Sequence, residues 1–188
     1  MSARTSLASI FAALALVLAA EPAAPQAGSS APPSGTGPRG AQNGEWPTYH
    51  GDLYATQYSP LDQITKDNVS KLAIAWKWDS PDNAIAADKK FQPWAFKSTP
   101  LMVGGKLYVN TSLGNVASID AGTGKTIWVF DSKSRDAGRP TNLGFNSRGV
   151  GYWTDGKEER VFHPAGDAML WAIDAKTGKA IASFGAAG

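Results

Sequence analysis

The sequence predicts an all-β protein that forms part of a β-propeller, with about two and a half four-stranded blades between Trp46 and Gly188. Two observations lead to this prediction. The segment Ile119–Phe130 recurs as Ile173–Phe184, so Asp120 and Asp174 are 54 positions apart (174 − 120). Short apolar strands, separated by turns that contain Gly or Asn, surround both copies. Repeats of roughly 40–50 residues built from such strands are typical of propeller blades.

The first blade can be followed strand by strand. Gly or Asn in each turn supplies the positive φ that tight antiparallel hairpins need. Four such strands in series make one blade. We expect them at Ser98–Val103, Lys106–Thr111, Val116–Asp120 and Lys125–Phe130.

The second blade follows the same order. In both copies the turn before the fourth strand reads Asp-Ala-x-Thr-Gly-Lys, where the Asp side chain can accept hydrogen bonds from the turn and Gly takes the left-handed position. Trp128, in the fourth strand of the first blade, is expected to stack on its neighbour. The second copy has Ala182 at that position, so no such stack is expected there. The second set of strands is expected at Gly149–Trp153, Arg160–His163, Met169–Ile173 and Lys179–Phe184.

Two further elements precede the blades. Thr65–Leu72 is expected to form a short capped helix, and Leu72–Trp78 a lone apolar strand. An unpaired apolar strand tends to recruit another one. This pattern suggests assembly with a second copy of the chain or with separate, missing propeller blades.

The beginning of the chain resembles an export signal followed by a tether. Residues 1–24 contain one cation, Arg4, and the apolar run Ile10–Ala20, which is shorter than the ~20 residues of a membrane span but typical of a signal peptide. We expect cleavage between Ala19 and Ala27. Residues 25–45 are rich in Pro, Gly, Ser and Ala and are expected to form a flexible linker.

The composition argues against several classes of function. The net charge is +2, so charge gives no support to nucleic acid as a partner. The chain contains no Cys, which excludes a disulfide framework, a thiolate metal site and a Cys nucleophile. It also lacks a Gly-x-Ser-x-Gly elbow, so nothing supports a serine hydrolase.

Three local motifs are better explained by the fold than by chemistry. Gly124–Thr126 resembles the end of a phosphate-binding loop, but Ile119 stands where that loop needs Gly. His50 and His163 have no partners at metal-ligand spacing, which favours structural roles for both. Asp155–Glu159 is too short for a calcium-binding loop and is typical of a hairpin tip. We therefore assign no metal ligand.

The remaining candidate is Arg148, a cation directly before Gly149 and an apolar strand. In a propeller, residues at the start of an innermost strand project towards the central axis, where ligands bind. On the residues alone, Arg148 is equally well explained as a surface or structural cation.

A series of motifs from Trp46 onward adds to this argument. They are Trp46–Asp52, Tyr58–Ile64, Asp67–Val69 with Leu72 and Ala75–Trp76, Ser98–Leu101, Arg148–Val150 with Tyr152–Trp153, and Leu170–Lys179 with Phe184–Gly185. Together, and in this order, they resemble the amino-terminal part of the quinoprotein alcohol and glucose dehydrogenases, which depend on pyrroloquinoline quinone (PQQ).

The resemblance implies an eight-bladed propeller in the periplasm, with PQQ and Ca²⁺ near its axis. It implies hydride transfer from a substrate hydroxyl carbon to PQQ, and then electron transfer to a cytochrome or a membrane quinone. Arg148 matches the family arginine that faces the cofactor, and its planar guanidinium suits a PQQ carboxylate or quinone oxygen. The family's metal ligands and catalytic Asp come from later blades, beyond Gly188, so no catalytic residue is assigned in this chain.

Two departures from the family pattern bear on the site. Lys97 stands where several members have a Glu or Gln that hydrogen-bonds PQQ. It can pair with a PQQ carboxylate or face solvent, and the sequence leaves both open. The alcohol-oxidising branch also stacks a disulfide of adjacent cysteines on PQQ, whereas this chain has Asn142–Phe145 in that region. This difference favours the sugar or polyol branch.

The sequence therefore predicts the amino-terminal portion of a periplasmic PQQ-dependent dehydrogenase that oxidises an alcohol, sugar or polyol hydroxyl. The chain alone is expected to be inactive. The alternative is a non-enzymatic periplasmic scaffold built from PQQ-like repeats. Arg148 and the motifs that begin at Trp46 favour the enzyme.

Overall fold

The computed structural model describes residues 41–87, 89–141 and 143–185. The predicted signal peptide (1–24) and most of the predicted linker (25–45) lie outside these residues. Two antiparallel sheets dominate the described part of the chain, as predicted for a partial propeller. No helix within it has the length and apolar character needed to cross a membrane.

The elements are short, as expected for blades joined by tight turns. The helices are one α-helix, α1 (Asp82–Ala86), and two 3-10 helices, Val69–Lys71 and Ser134–Ala137. The strands are β1 (Ala95–Phe96), β2 (Leu101–Val103), β3 (Lys106–Asn110), β4 (Asn115–Asp120), β5 (Thr126–Asp131), β6 (Asn146–Ser147), β7 (Gly151–Thr154), β8 (Glu159–Pro164) and β9 (Leu170–Asp174).

The first sheet confirms the predicted four-stranded blade. Its strands pair antiparallel in the order β2-β3-β4-β5, so each strand lies beside its neighbour in sequence. Gly104 and Gly105 join β2 to β3 with φ values of 57° and 73°. Positive φ at both central residues gives the turn a twist that matches the paired strands.

The second sheet contains three strands, β7-β8-β9, and the predicted fourth strand at Lys179–Phe184 is wrong. The segment forms one isolated bridge, Ala180 opposite Ile173, and the Ile181 amide donates to the Ala172 carbonyl at 2.8 Å. The chain then turns, and the Phe184 amide donates to the Ile181 carbonyl at 2.8 Å. A buried Trp anchors β5 at the equivalent position of the first sheet, whereas here the exposed Ala182 provides no anchor.

The repeated turn is stabilised in the same way in both copies. The Asp120 carboxylate accepts hydrogen bonds from the amide and the hydroxyl of Thr123, both at 2.7 Å. These bonds hold the pKa of Asp120 below its ordinary value. Asp174 accepts the same two bonds from Thr177, at 2.7 and 2.9 Å. Because an Asp of the chain itself occupies the turn, the motif is structural and not a phosphate-binding loop.

Trp128 joins the first sheet to the second, which confirms its predicted stacking role. Its indole nitrogen donates to the Ala175 carbonyl at 3.0 Å, and its ring is buried. The ring lies so close to the turn of the second sheet that a Cβ on Gly178 would be 2.6 Å from it. Glycine is therefore required at Gly178 by contact as well as by its φ of +71°.

The segment Leu72–Trp78 is extended but is not a strand, because its backbone joins no ladder of the described residues. Instead, the segment places Trp76 against the first sheet, in the same way that β5 places Trp128 against the second sheet. The Trp76 indole donates to the Ala121 carbonyl at 3.1 Å, and its ring lies over Gly124. The segment thus occupies the place of a fourth strand from a preceding repeat. The helix predicted before it is reduced to the 3-10 helix Val69–Lys71.

Two apolar clusters cover the two faces of the first sheet. One lies against the second sheet and includes Tyr108, Val116, Val161 and Ile173. The other contains Val109, Ala117 and Ile119, with Trp76, Trp78 and Leu107 packed against it. Alternate residues of β3 and β4 therefore enter different clusters, as expected for a sheet buried on both faces.

The packed part of the chain begins before Trp46. Ala41 is buried and its amide donates to the Tyr58 carbonyl at 2.8 Å. The Glu45 carboxylate accepts from the Gly104 amide at 3.0 and 3.1 Å. Residues 41–45, which the sequence assigns to the end of the linker, are thus fixed at both ends, by Tyr58 at Ala41 and by the first sheet at Glu45.

Candidate cofactor-binding cleft

A short parallel ladder brings the two predicted cofactor residues, Lys97 and Arg148, next to each other. β1 pairs in parallel with β6, with Phe96 opposite Ser147. Lys97 and Arg148 follow these strands directly, and the Lys97 amide donates to the Ser147 carbonyl at 3.2 Å. Two residues 51 positions apart (148 − 97) thus meet at one end of a ladder that the sequence did not predict.

Asn110, at the end of β3, fixes the backbone next to both cations. Its side-chain oxygen accepts from the Ser98 hydroxyl at 2.8 Å and from the Gly149 amide at 2.9 Å. Ser98 follows Lys97 and Gly149 follows Arg148, so one buried amide oxygen joins the two loops. Sequence reasoning missed Asn110, whose only signal is a polar residue ending an apolar strand.

Arg148 lines a cleft with a volume of about 270 Å³. The polar side chains of Asn110, Asn146 and Ser147 line it as well, and the segment Pro164–Gly166 closes one side. Arg148 is the one charged residue among the described residues that form the lining. The cleft is therefore positive and offers neutral hydrogen-bonding groups around a single cation.

The cleft fits an anionic, hydrogen-bonding group such as PQQ. The Arg148 guanidinium is exposed and makes no ion pair or hydrogen bond with the described residues. The Ser147 hydroxyl is buried without a hydrogen-bond partner in the same part of the chain. A buried polar group is normally paired. An exposed cation without a protein partner in a cleft suits a ligand that carries carboxylates and carbonyl oxygens.

Lys97 occupies a different place from Arg148. Its side chain is exposed and does not line the cleft. The ladder nevertheless sets its backbone beside that of Arg148, at the rim. A role for Lys97 as a partner of a PQQ carboxylate stays a prediction.

His163 is buried near this cleft and is neutral. Its side chain is 2% exposed, and burial lowers its pKa to about 4. This burial fits the structural role predicted from the sequence. His50, the other histidine, lies near the surface, with its Nδ1 2.8 Å from the Gln57 side-chain nitrogen.

A second residue that the sequence did not single out is Asp82, at the start of α1. Its buried carboxylate accepts from the Thr111 hydroxyl at 2.6 Å, the Leu113 amide at 3.0 Å and the Asn115 side chain at 3.0 Å. These bonds fix the turn between β3 and β4, next to Asn110. No local pattern marks Asp82, because its partners lie about 30 residues further along the chain.

No group of three or more His, Asp or Glu residues that could hold a metal ion occurs in the part of the chain that the structure describes. The resemblance places the Ca²⁺ ligands outside this chain.

Comparison with known proteins identifies the class of protein that this fold and cleft define. Residues 46–188 match the PQQ family model described as "Glucose/ethanol/alcohol dehydrogenase, beta-propeller domain". The chain belongs to this family.

Individual relatives agree with this assignment. The chain is 35% identical to the dehydrogenase subunit of the quinone alcohol dehydrogenase of Gluconobacter oxydans, over 76% of this chain and 17% of that protein. It is 34% identical to the 1-butanol dehydrogenase (cytochrome c) of Thauera butanivorans, over 75% of this chain and 18% of that protein. The crystal structure of the quinohemoprotein alcohol dehydrogenase of Comamonas testosteroni matches with a TM-score of 0.60 and 34% identity, over 73% of this chain and 18% of that one. The chain thus spans less than a fifth of the length of each of these relatives.

Proposed function

We propose that this chain supplies the amino-terminal blades of a periplasmic PQQ-dependent dehydrogenase. The observation that carries the proposal is the position of Arg148, unpaired in a positive cleft within a segment that matches the PQQ propeller family from end to end. By this proposal, residues 46–188 form one wall of the cofactor site.

Each residue of the cleft has a defined task. Arg148 binds an oxygen pair of the cofactor through its planar fork. Asn110 holds the two loops in register, so the cation is positioned before the ligand arrives. Lys97 adds a second positive charge at the rim. When bound, PQQ supplies the acceptor for the hydride that leaves the substrate.

The proposal places the remaining chemistry on other blades. The relatives are more than five times as long as the matched segment, and the eight-bladed propeller that the resemblance implies needs further blades. The Ca²⁺ ligands and the residue that accepts the hydroxyl proton belong to those blades. By itself the chain binds one side of the cofactor and does not turn over substrate.

The substrate class follows from two lines of support that point in different directions. The absence of Cys favours a sugar or polyol, whereas the names of the relatives favour an alcohol. We therefore propose a small molecule with an oxidisable hydroxyl, and a cytochrome or a membrane quinone as the electron acceptor. Export rests on the apolar run Ile10–Ala20, and the protein is expected in the periplasmic fraction released by osmotic shock.

A titration with PQQ and Ca²⁺ tests the proposal. The protein as encoded by its gene is titrated with PQQ, and binding is followed by absorbance and by quenching of tryptophan fluorescence. Arg148→Gln is expected to weaken binding about 10- to 100-fold, because a hydrogen bond to a charged group is worth about 1.5–3 kcal/mol. Arg148→Lys keeps the positive charge but loses the planar guanidinium, so its affinity for PQQ should lie between those of the parent and of Arg148→Gln.

Arg160→Gln is the matched control, since Arg160 pairs with Glu158 at 2.5 Å and does not line the cleft. It should bind PQQ as the parent does. A parent protein that fails to bind PQQ would reject the enzyme and favour the non-enzymatic scaffold. Equal affinity in the parent and in Arg148→Gln would leave the family assignment intact but remove Arg148 from the site.

A further inference from the structure

The buried His163 lacks any partner for its two ring nitrogens. It lies on β8, opposite Trp171 of β9, and its side chain is 2% exposed. Neither Nδ1 nor Nε2 makes a hydrogen bond with the described residues. A neutral imidazole has one donor and one acceptor to satisfy, and buried polar groups in folded proteins are rarely left unpaired. The imidazole therefore calls for a ligand that both donates and accepts.

His163 lines a small cavity of about 30 Å³. Polar side chains of Asn110, Ser112, Ser134 and Asn146 line it together with His163. None of the residues of the lining is charged, so an ion would find no counter-charge there. A polar cavity needs about 10–15 Å³ for each water, so this one has room for one or two.

Asn110 supplies a hydrogen-bond donor next to the histidine. Its side-chain oxygen is already used by Ser98 and Gly149, so its side-chain nitrogen is the group that it can offer to the cavity. A water that donates to an imidazole nitrogen can accept from this amide nitrogen. Water therefore satisfies both groups at once, which an apolar ligand would not do.

We propose that this cavity is a water-binding site, in which His163 and Asn110 hold one or two water molecules next to the Arg148 cleft. The cavity and the cleft share Asn110, Asn146 and Pro164 in their walls. The bound water is thus part of the support for the cleft wall. Asn110 is the link, since it also fixes the loops that carry Lys97 and Arg148. This inference does not depend on which ligand the cleft takes.

The alternative is a dry cavity, with His163 as a packing residue only. The two cases give opposite results when an apolar ring replaces the imidazole. In a dry cavity, Phe would fill empty space and remove two unpaired nitrogens, so the protein would keep or gain stability. In a hydrated cavity, Phe would expel the water together with the hydrogen bonds that the water makes, so the protein would lose stability.

A high-resolution crystal structure of the protein as encoded by its gene, with the wild-type sequence, is the direct test. One or two ordered waters within about 3.2 Å of the His163 nitrogens are expected. An empty cavity in that structure would overturn the proposal. This measurement requires no variant and so cannot be confused with a folding defect.

Relaxation dispersion of water ¹⁷O nuclei, which counts long-lived internal waters, extends the test to solution. His163→Phe should lose one or two such waters and should melt at a lower temperature than the parent. His163→Gln, which can still hold water, should melt between the two. His50→Phe is the control, because His50 lies outside the cavity, and it should keep the full count. An unchanged count together with an unchanged or higher melting temperature in His163→Phe would contradict the proposal.

Discussion

Replacing Trp128 with Ala should be among the most damaging single changes in the described part of this chain. The indole is 9% exposed and lies between the two sheets, against the turn at Gly178. Loss of a buried Trp side chain costs about 3–5 kcal/mol through the lost transfer energy and the cavity left behind. The hydrogen bond to the Ala175 carbonyl, worth about 1 kcal/mol, is lost as well. Part of that second loss is offset, because the Tyr108 hydroxyl also donates to this carbonyl, at 3.4 Å. We expect a total loss of about 4 kcal/mol.

Trp128→Phe separates the two contributions. It keeps an aromatic ring against the second sheet but removes the indole donor, so a loss of about 1–2 kcal/mol is expected. Trp153→Ala is the control, because that side chain is 43% exposed and its ring lies beneath the Arg160 guanidinium, 5.2 Å from the ring centre. It should cost about 1 kcal/mol or less.

Urea unfolding followed by far-ultraviolet circular dichroism measures all three variants, since the signal does not depend on the tryptophan that is removed. The midpoint and slope together give the free energy of unfolding. If Trp128→Ala stays within about 1 kcal/mol of the parent, the sheets are not held together through this residue and the reasoning is refuted. A loss in Trp153→Ala as large as that in Trp128→Ala would show that any Trp is costly to remove, wherever it lies.

Two further predictions concern Gly178 and His163. Gly178→Ala should lower the free energy of unfolding by at least about 2 kcal/mol, because the new Cβ would meet the Trp128 ring. Gly156→Ala is the control: Gly156 has a similar φ but no atom within 4 Å of the added Cβ, so this change should cost only about 1 kcal/mol. Equal losses in the two variants would show that φ alone matters. Burial lowers the pKa of His163 from 6.5 to about 4, so the unfolded chain binds the proton more readily than the folded chain does. The free energy of unfolding should therefore fall by a total of about 3 kcal/mol as the pH drops from about 6.5 towards 4. Asp167 opposes this shift, and His163→Gln should remove that part of the pH dependence; an identical pH profile in the variant would contradict it.

The features that the sequence predicted well depend on residues that are close together in the chain. The first blade follows from tight turns, and the repeated Asp turn from an Asp and a Thr three residues apart. The stacking of Trp128 was predictable because the repeat shows which position faces the neighbour. Comparing the two copies gave a wrong prediction for Lys179–Phe184. This segment resembles β5 in sequence, but it has Ala182 in place of the Trp that anchors β5.

The features that the sequence did not predict depend on pairs far apart in the chain. Trp76 makes the same contact as Trp128, but no Asp turn precedes it, so the repeat does not mark its position. The Asn110 and Asp82 networks join loops whose proximity exists only in the folded sheet. The meeting of Lys97 with Arg148 requires a parallel ladder of two residues per strand, which is too short to leave a pattern in the sequence.

The paired contacts of Trp76 with Gly124 and of Trp128 with Gly178 also define a unit of duplication. The first repeat carries a glycine turn that receives the preceding tryptophan, Trp76, and a tryptophan of its own, Trp128, that is received by the next turn. A tandem copy of residues 77–128 would bring along one turn and one tryptophan, so both new junctions would be satisfied as soon as the copy arose. A propeller wall of this kind can lengthen by whole repeats without a second compensating mutation, whereas a copy that lacks either partner leaves a gap or a clash at its boundary.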